Sequence, residues 1–175
     1  MAENNPMREV RLNKVTVNIG IGDNEDRFQN AKALLEKLTG RIAVATKSKH
    51  REPELKIRKG QIIGAMVTLR NKEASELLRR ALDANNNTVY ESSVANNSVN
   101  FGVSEYIYFS GVKYDPKIGM LGLNVNGSFG RMGKRVETRK RGASRVSRSH
   151  RDVSREEIMN YMQSKYGVKF VKREG

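Results

Sequence analysis

Residues 14–22 read KVTVNIGIG and alternate without a break. Val15, Val17, Ile19 and Ile21 fall on one side of an extended chain, and Lys14, Thr16 and Asn18 on the other. A period of two describes a strand with one buried and one wet face. Such a strand needs a second layer to cover its apolar side. The next stretch supplies one. In DRFQNAKALLEKLTG, Phe28, Ala31, Leu34, Leu35 and Leu38 recur at helical spacing. Asp26 and Gln29 stand at capping-box spacing, and Gly40 suits the left-handed residue that ends a helix.

The same grammar returns along the chain. Residues 41–45 are expected to form a short strand. Residues 61–70 predict a strong one, with Ile63, Ala65, Val67 and Leu69 inward and Thr68 and Arg70 opposite. Asn71 is expected to cap a second helix with the stripe Ala74, Leu77, Leu78, Ala81 and Leu82. The Asn/Ser-rich stretch 84–98 reads as loop with a short irregular strand. Residues 99–109 and 120–129 predict two further strands; in the second, Leu121, Leu123 and Val125 oppose Asn124 and Asn126. Ser154 and Glu157 make another capping box, opening a helix with Ile158, Tyr161, Met162 and Tyr166 on one face. There are no internal repeats.

These elements predict an α+β fold, with helices packed on one face of a mainly antiparallel sheet. At 175 residues the chain suits a single domain, 1–175, with a flexible start at 1–10 and a basic insertion at 130–153. Thr16, Asn18, Thr68, Arg70, Asn124 and Asn126 fall on the face without helices. Each alone is an ordinary solvent-facing strand residue. Their recurrence on three strands points to a binding surface.

Charge decides what that surface meets. Lys plus Arg is 33 against 19 Asp plus Glu, a formal net charge of +14. Polyanions are the default partners at that charge, nucleic acid before an anionic membrane. Two segments concentrate it. In TKSKHREPELKIRKG, Thr46 to Gly60, six of fifteen residues are Lys47, Lys49, Arg51, Lys56, Arg58 and Lys59, joined by His50. Pro53 disfavours helix at Glu52, so a protruding loop or hairpin is expected. In the second, Arg131 to Arg151, nine of 21 residues are Arg131, Lys134, Arg135, Arg139, Lys140, Arg141, Arg145, Arg148 and Arg151, with His150 among them. Glu137 is its single acid. Arginine forks grip phosphate bidentately and stack on bases. The segment lacks apolar periodicity, so it is expected to stay disordered until bound to RNA.

No helix-turn-helix, zinc or basic-zipper pattern favours duplex DNA. The chain has no cysteine, and its two histidines are far apart, so no metal site or cofactor is expected. NIGIGD lacks the third glycine of a dinucleotide loop and the GK[ST] of a P-loop. Asp23, Glu25 and Asp26 would suit a metal-dependent nuclease, but acids at a helix start have a simpler reason. A basic chromatin-like protein is the other alternative. The N-terminus lacks an apolar signal segment and the longest apolar run is too short for a membrane helix, so a soluble cytoplasmic protein is expected.

Together, KVTVNIGIGD, LLEKLTG, ATKSKHREPELKIRKGQIIGAMVTLR, NFGVSEYIYF and YDPKIGMLGLNV closely resemble the ribosomal protein L five family, the 5S rRNA-binding proteins of the large subunit's central protuberance. The resemblance runs over roughly residues 7–171. The basic segment before the last helix resembles the archaeal and eukaryotic branch. The resemblance implies a non-enzymatic ribosomal protein whose sheet side and adjoining loops hold 5S rRNA. Carried over by position, the 5S rRNA contacts are Asn18, Arg41, Thr46, Leu55, Thr68, Arg70 and Asn124. Arg41 stands where the family often has Gln, and Leu55 where it often has an aromatic, so a stacking ring is missing there. The basic loop corresponds to one reaching the elbow of P-site tRNA, and the Arg-rich insertion to a segment ordered on rRNA. Other implied partners are large-subunit rRNA, neighbouring central-protuberance proteins and a small-subunit head protein across a bridge.

Overall fold

A computed structural model describes residues 5–22 and 25–172, with backbone alone at Glu25 and Asp26. In chain order the elements are β1 (Arg11–Gly20), α1 (Glu25–Thr39), β2 (Val44–Lys47), β3 (Ile62–Leu69), α2 (Asn71–Ala84), β4 (Thr88–Tyr90), β5 (Val94–Ala95), β6 (Ser98–Val103), β7 (Leu123–Gly130), α3 (Arg135–Thr138), α4 (Arg148–Arg151), α5 (Arg155–Tyr166) and β8 (Lys169–Val171). Six strands form one sheet in the order β2-β3-β1-β7-β6-β5. Every neighbouring pair in it is antiparallel. The α+β architecture expected from the alternation is the one observed.

The register follows from the alternation. Val15, Val17 and Ile19 of β1 are buried, as are Ala65, Val67 and Leu69 of β3, and Leu123, Val125 and Phe129 of β7. A one-residue slip would turn all of them to water, which is why such a register is strongly specified. Ala31, Leu34, Leu35 and Leu38 of α1, and Ala74, Leu77, Leu78, Ala81 and Leu82 of α2, close over this side. Both stripes are the ones the helical spacing predicts. On α5, Ile158 and Met162 are buried and the Phe129 and Tyr161 rings meet edge to face at 5.6 Å. Ser154 and Glu157 form the expected capping box. Gly40 has φ +66°, a conformation in which other residues clash with their own carbonyl.

The predicted capping box rests on the side chain of Asp26, which lies outside the described residues. Three readings change. Asn71 does not cap α2: the flanking residue is Arg70, extended and without a side-chain cap bond, and Asn71 is the first helical residue with φ +56°. Asparagine tolerates the left-handed turn needed there, so its value is backbone freedom, not capping. The strand predicted over 99–109 ends at Val103. Alternation breaks at Ser104, the chain enters a 3-10 turn at Tyr106–Tyr108, and Tyr106 is buried with its Oη accepting from the Asp115 amide at 3.0 Å. The loop 84–98 contains β4, which pairs in parallel with β8 as a separate two-stranded sheet. At the N-terminus, residues 6–8 form a 3-10 turn, with Asn5 Oδ1 accepting from the Met7 amide at 3.0 Å.

Candidate nucleic-acid interface

The side of the sheet opposite α1 and α2 carries polar side chains in rows, because antiparallel pairing sets partners side by side. One row runs Met66, Asn18, Asn124, Gly102 across β3, β1, β7 and β6. The next runs Thr68, Thr16, Asn126, Asn100 across the same strands. Thr16 and Thr68 bring their hydroxyls to 3.4 Å. Among the described residues, the Asn18, Asn124 and Asn126 amides make no hydrogen bond. Each carries both donors and an acceptor, ready for a base edge or a 2′-hydroxyl. Gly102 leaves room beside Asn124: a Cβ there would lie 3.4 Å from Asn124 Oδ1. Asn100 was not singled out by its sequence, although its alternation with Val99 and Phe101 places it on this face.

At the β2 edge, Gly40, Arg41, Ile42, Val44, Met66 and Thr68 line a shallow cleft. Ile42 and Val44 are exposed, at 82% and 58%, while Ala43 between them is buried. The result is an apolar floor beside the polar rows. Thr46 sits opposite Gly64 in the β2–β3 register. Only glycine fits at 64, since a Cβ would stand 2.5 Å from the Ile19 carbonyl oxygen. Arg70 lies directly after β3 and lines a neighbouring cleft with Arg41 and Thr68. Arg41 is not idle. Its Nε donates to Glu73 Oε2 at 3.1 Å and its terminal nitrogen to Oε1 at 2.6 Å. These bonds from Arg41 hold the Glu73 carboxyl below the usual carboxylate range. The pair is exposed on both sides, so it adds little to stability.

The basic stretch between β2 and β3 is the expected hairpin. Ser48 and Gly60 continue the ladder beyond the strands, and Glu52 and Ile57 exchange both backbone bonds at 3.0 Å. The tip is a turn closed by the Lys56 amide on the Pro53 carbonyl, with Lys56 at φ +56°. Lys47, Lys49, His50, Arg51, Lys56, Arg58 and Lys59 are all exposed, and none is ion-paired among the described residues. Leu55 stands exposed in the tip turn. The structure therefore gathers Asn18, Thr68 and Asn124 on the sheet, and Arg41, Thr46 and Arg70 at its edge. Leu55 belongs with the hairpin cations.

The insertion runs from the end of β7 to α5 and includes the short helical turns α3 and α4. Arg131 reaches back to α5, donating to Glu157 Oε1 at 2.6 Å and to the Ser149 carbonyl at 3.1 Å. Lys134, Arg135, Lys140, Arg141, Arg145, Arg148 and His150 are exposed. The carboxylates of Asp23, Glu25 and Asp26, on which the nuclease alternative stood, lie outside what is described, with backbone alone at Glu25 and Asp26. No described helix is long and apolar enough to cross a membrane.

Residues 5–58 match the model of the family described as Ribosomal protein L5, and residues 62–161 match a second model, which describes the C-terminus of that ribosomal family. The chain is 42% identical over 168 residues to the large ribosomal subunit protein uL5 of Sulfurisphaera tokodaii, covering 95% of each chain. It is 44% identical over 168 residues to that of Aeropyrum pernix, covering 95% of this chain and 87% of the relative. To that of Nanoarchaeum equitans it is 40% identical over 167 residues, covering 95% of this chain and 98% of the relative. The chain belongs to the ribosomal protein L5 family and is a structural constituent of the large ribosomal subunit, not an enzyme.

Proposed function

We propose that the chain binds 5S rRNA through the open face of its sheet and so anchors that RNA in the central protuberance. The observation that carries this reading is the pair of polar rows. Amides and hydroxyls on neighbouring strands offer short, rigidly spaced donors and acceptors that can read bases and 2′-hydroxyls. The apolar floor of Ile42, Val44 and Met66 offers a dry surface at the edge of those rows. The basic hairpin then serves a different RNA, the elbow of P-site tRNA, by phosphate contact. The insertion contacts large-subunit rRNA. Neighbouring central-protuberance proteins and a small-subunit head protein across a bridge complete its partners.

Binding of 5S rRNA by Asn18→Ala and Thr68→Ala variants tests the sheet-face assignment. Each lost hydrogen bond is worth about 1 kcal/mol, so each variant should bind about fivefold more weakly. Neither residue is part of the buried core, so the thermal midpoint should hold. Unchanged affinity in both variants would remove the sheet face from the interface.

A further inference from the structure

The cations of the insertion are not equivalent. Arg151 donates to both oxygens of Glu137, at 3.1 and 3.3 Å, and through Nε to Asp152 at 2.9 Å. Glu137 also accepts from the Val146 amide at 3.3 Å, so one carboxylate ties α3 to the chain leading into α4. Asp152 accepts in turn from the Asn97 side-chain amide at 3.3 Å, and Asn97 Oδ1 accepts from the backbone amide of the buried Val153 at 2.7 Å. Asn97 lies in the β5–β6 turn, so these bonds fasten the end of the insertion to the sheet. Arg131 fastens its beginning to the capping box of α5 through Glu157. The side chains of Arg131 and Arg151 are only 12% and 29% exposed, and that of Glu137 20%.

Two arginines here face three carboxylates: Glu137, Asp152 and Glu157. Their charge is spent inside the protein and has little left for phosphate. By contrast, Lys134, Arg135, Lys140, Arg141, Arg145 and Arg148 are exposed and make no side-chain hydrogen bond or ion pair with a described residue. We propose that Arg131 and Arg151 are positioning residues, that Glu137 is the hub on which the insertion folds before RNA arrives, and that the six exposed cations take the phosphates. The composition of the segment argues for disorder in the free chain, because it has no apolar stripe to bury. Arginine–carboxylate bonds replace that stripe: Arg151 spans Glu137 through Nη1 and Asp152 through Nε, and these charge-assisted bonds are partly desolvated and anchored at both ends to ordered structure. A preformed frame also lowers the ordering cost of RNA binding.

The phosphate half rests on the RNA-binding reading proposed above; the frame half does not. The test is hydrogen exchange on the full-length, RNA-free protein, combined with salt titration of RNA binding. Wild type should protect the amides of Val146, Asp152 and Val153. Arg151→Lys, which keeps the charge but loses the guanidinium that spans Glu137 and Asp152, and Glu137→Gln should each speed their exchange at least tenfold while β1 stays protected. The double variant Arg145→Gln/Arg148→Gln should leave exchange unchanged. It should lower the slope of log K against log salt by about 1.5, two contacts at roughly 0.7–0.9 each. Wild-type amides exchanging at open-chain rates, or an Arg151→Lys variant as protected as wild type, would overturn the frame. A double variant with an unchanged salt slope would overturn the division of the cations. The exchange measurement needs no RNA, so it stands apart from whether the chain selects 5S rRNA.

Discussion

Leu78→Ala is expected to lower the thermal midpoint of the isolated protein by about 10 °C. The residue lies in the middle of the α2 stripe, fully buried beneath the sheet. Truncating its isobutyl group to a methyl forfeits transfer energy and leaves a cavity, a loss of about 2–5 kcal/mol in tightly packed cores. For a chain of this length each kcal/mol moves the midpoint by roughly 2–4 °C. The neighbours limit relaxation: Leu77, Ala81 and Leu82 are themselves buried against β1, which is held by β3 and β7 on either side. A drop of less than about 3 °C would mean that the layer of α2 on the sheet is not where the core's stability resides.

Reversing three hairpin charges, Lys47→Glu, Lys49→Glu and Arg51→Glu, is expected to divide two kinds of RNA binding. Each reversal removes two units, so three take the formal net charge from +14 to +8. Non-specific binding with a Kd near ~10⁻⁵ M spread over about eight phosphate contacts amounts to just under 1 kcal/mol per contact. Losing three such contacts should weaken binding of tRNA or a scrambled RNA on the order of a hundredfold and flatten the salt slope by about 2. The sheet face is untouched, so 5S rRNA should lose no more than about tenfold, through the diminished long-range field. The hairpin's fold should persist, because its ladder is backbone to backbone. Equal losses for all RNAs would contradict separate roles for the hairpin and the sheet.

What the sequence disclosed, and what it withheld, follows from the range of the interactions. β1, β3, β7 and α2 are legible because each buries a full periodic stripe, and the stripe is local. The polar rows are legible for the same reason: a residue opposite a buried valine faces water. The β4–β8 pair is not, since strands of three residues have no period to read and their partners come from distant parts of the chain. Val103 as the end of β6 is visible only once Tyr106 is seen turning inward. Arg41 stands out as a cation beside a turn, but its fork to Glu73 joins residues 32 positions apart. Glu137 is conspicuous as the one acid among nine cations. Its role as a hub depends on Arg151 folding back to it, which no pattern of spacing encodes.

The most direct test of 5S rRNA anchoring is a salt-titrated binding assay of the purified protein against 5S rRNA, a scrambled RNA of the same length and duplex DNA. Hydrogen bonds from the sheet face persist as counterions screen the phosphates, whereas charge contacts do not. A preference for 5S rRNA that widens as salt rises is the predicted result. Equal binding to all three, fading together with salt, would contradict it and reduce the interface to net charge.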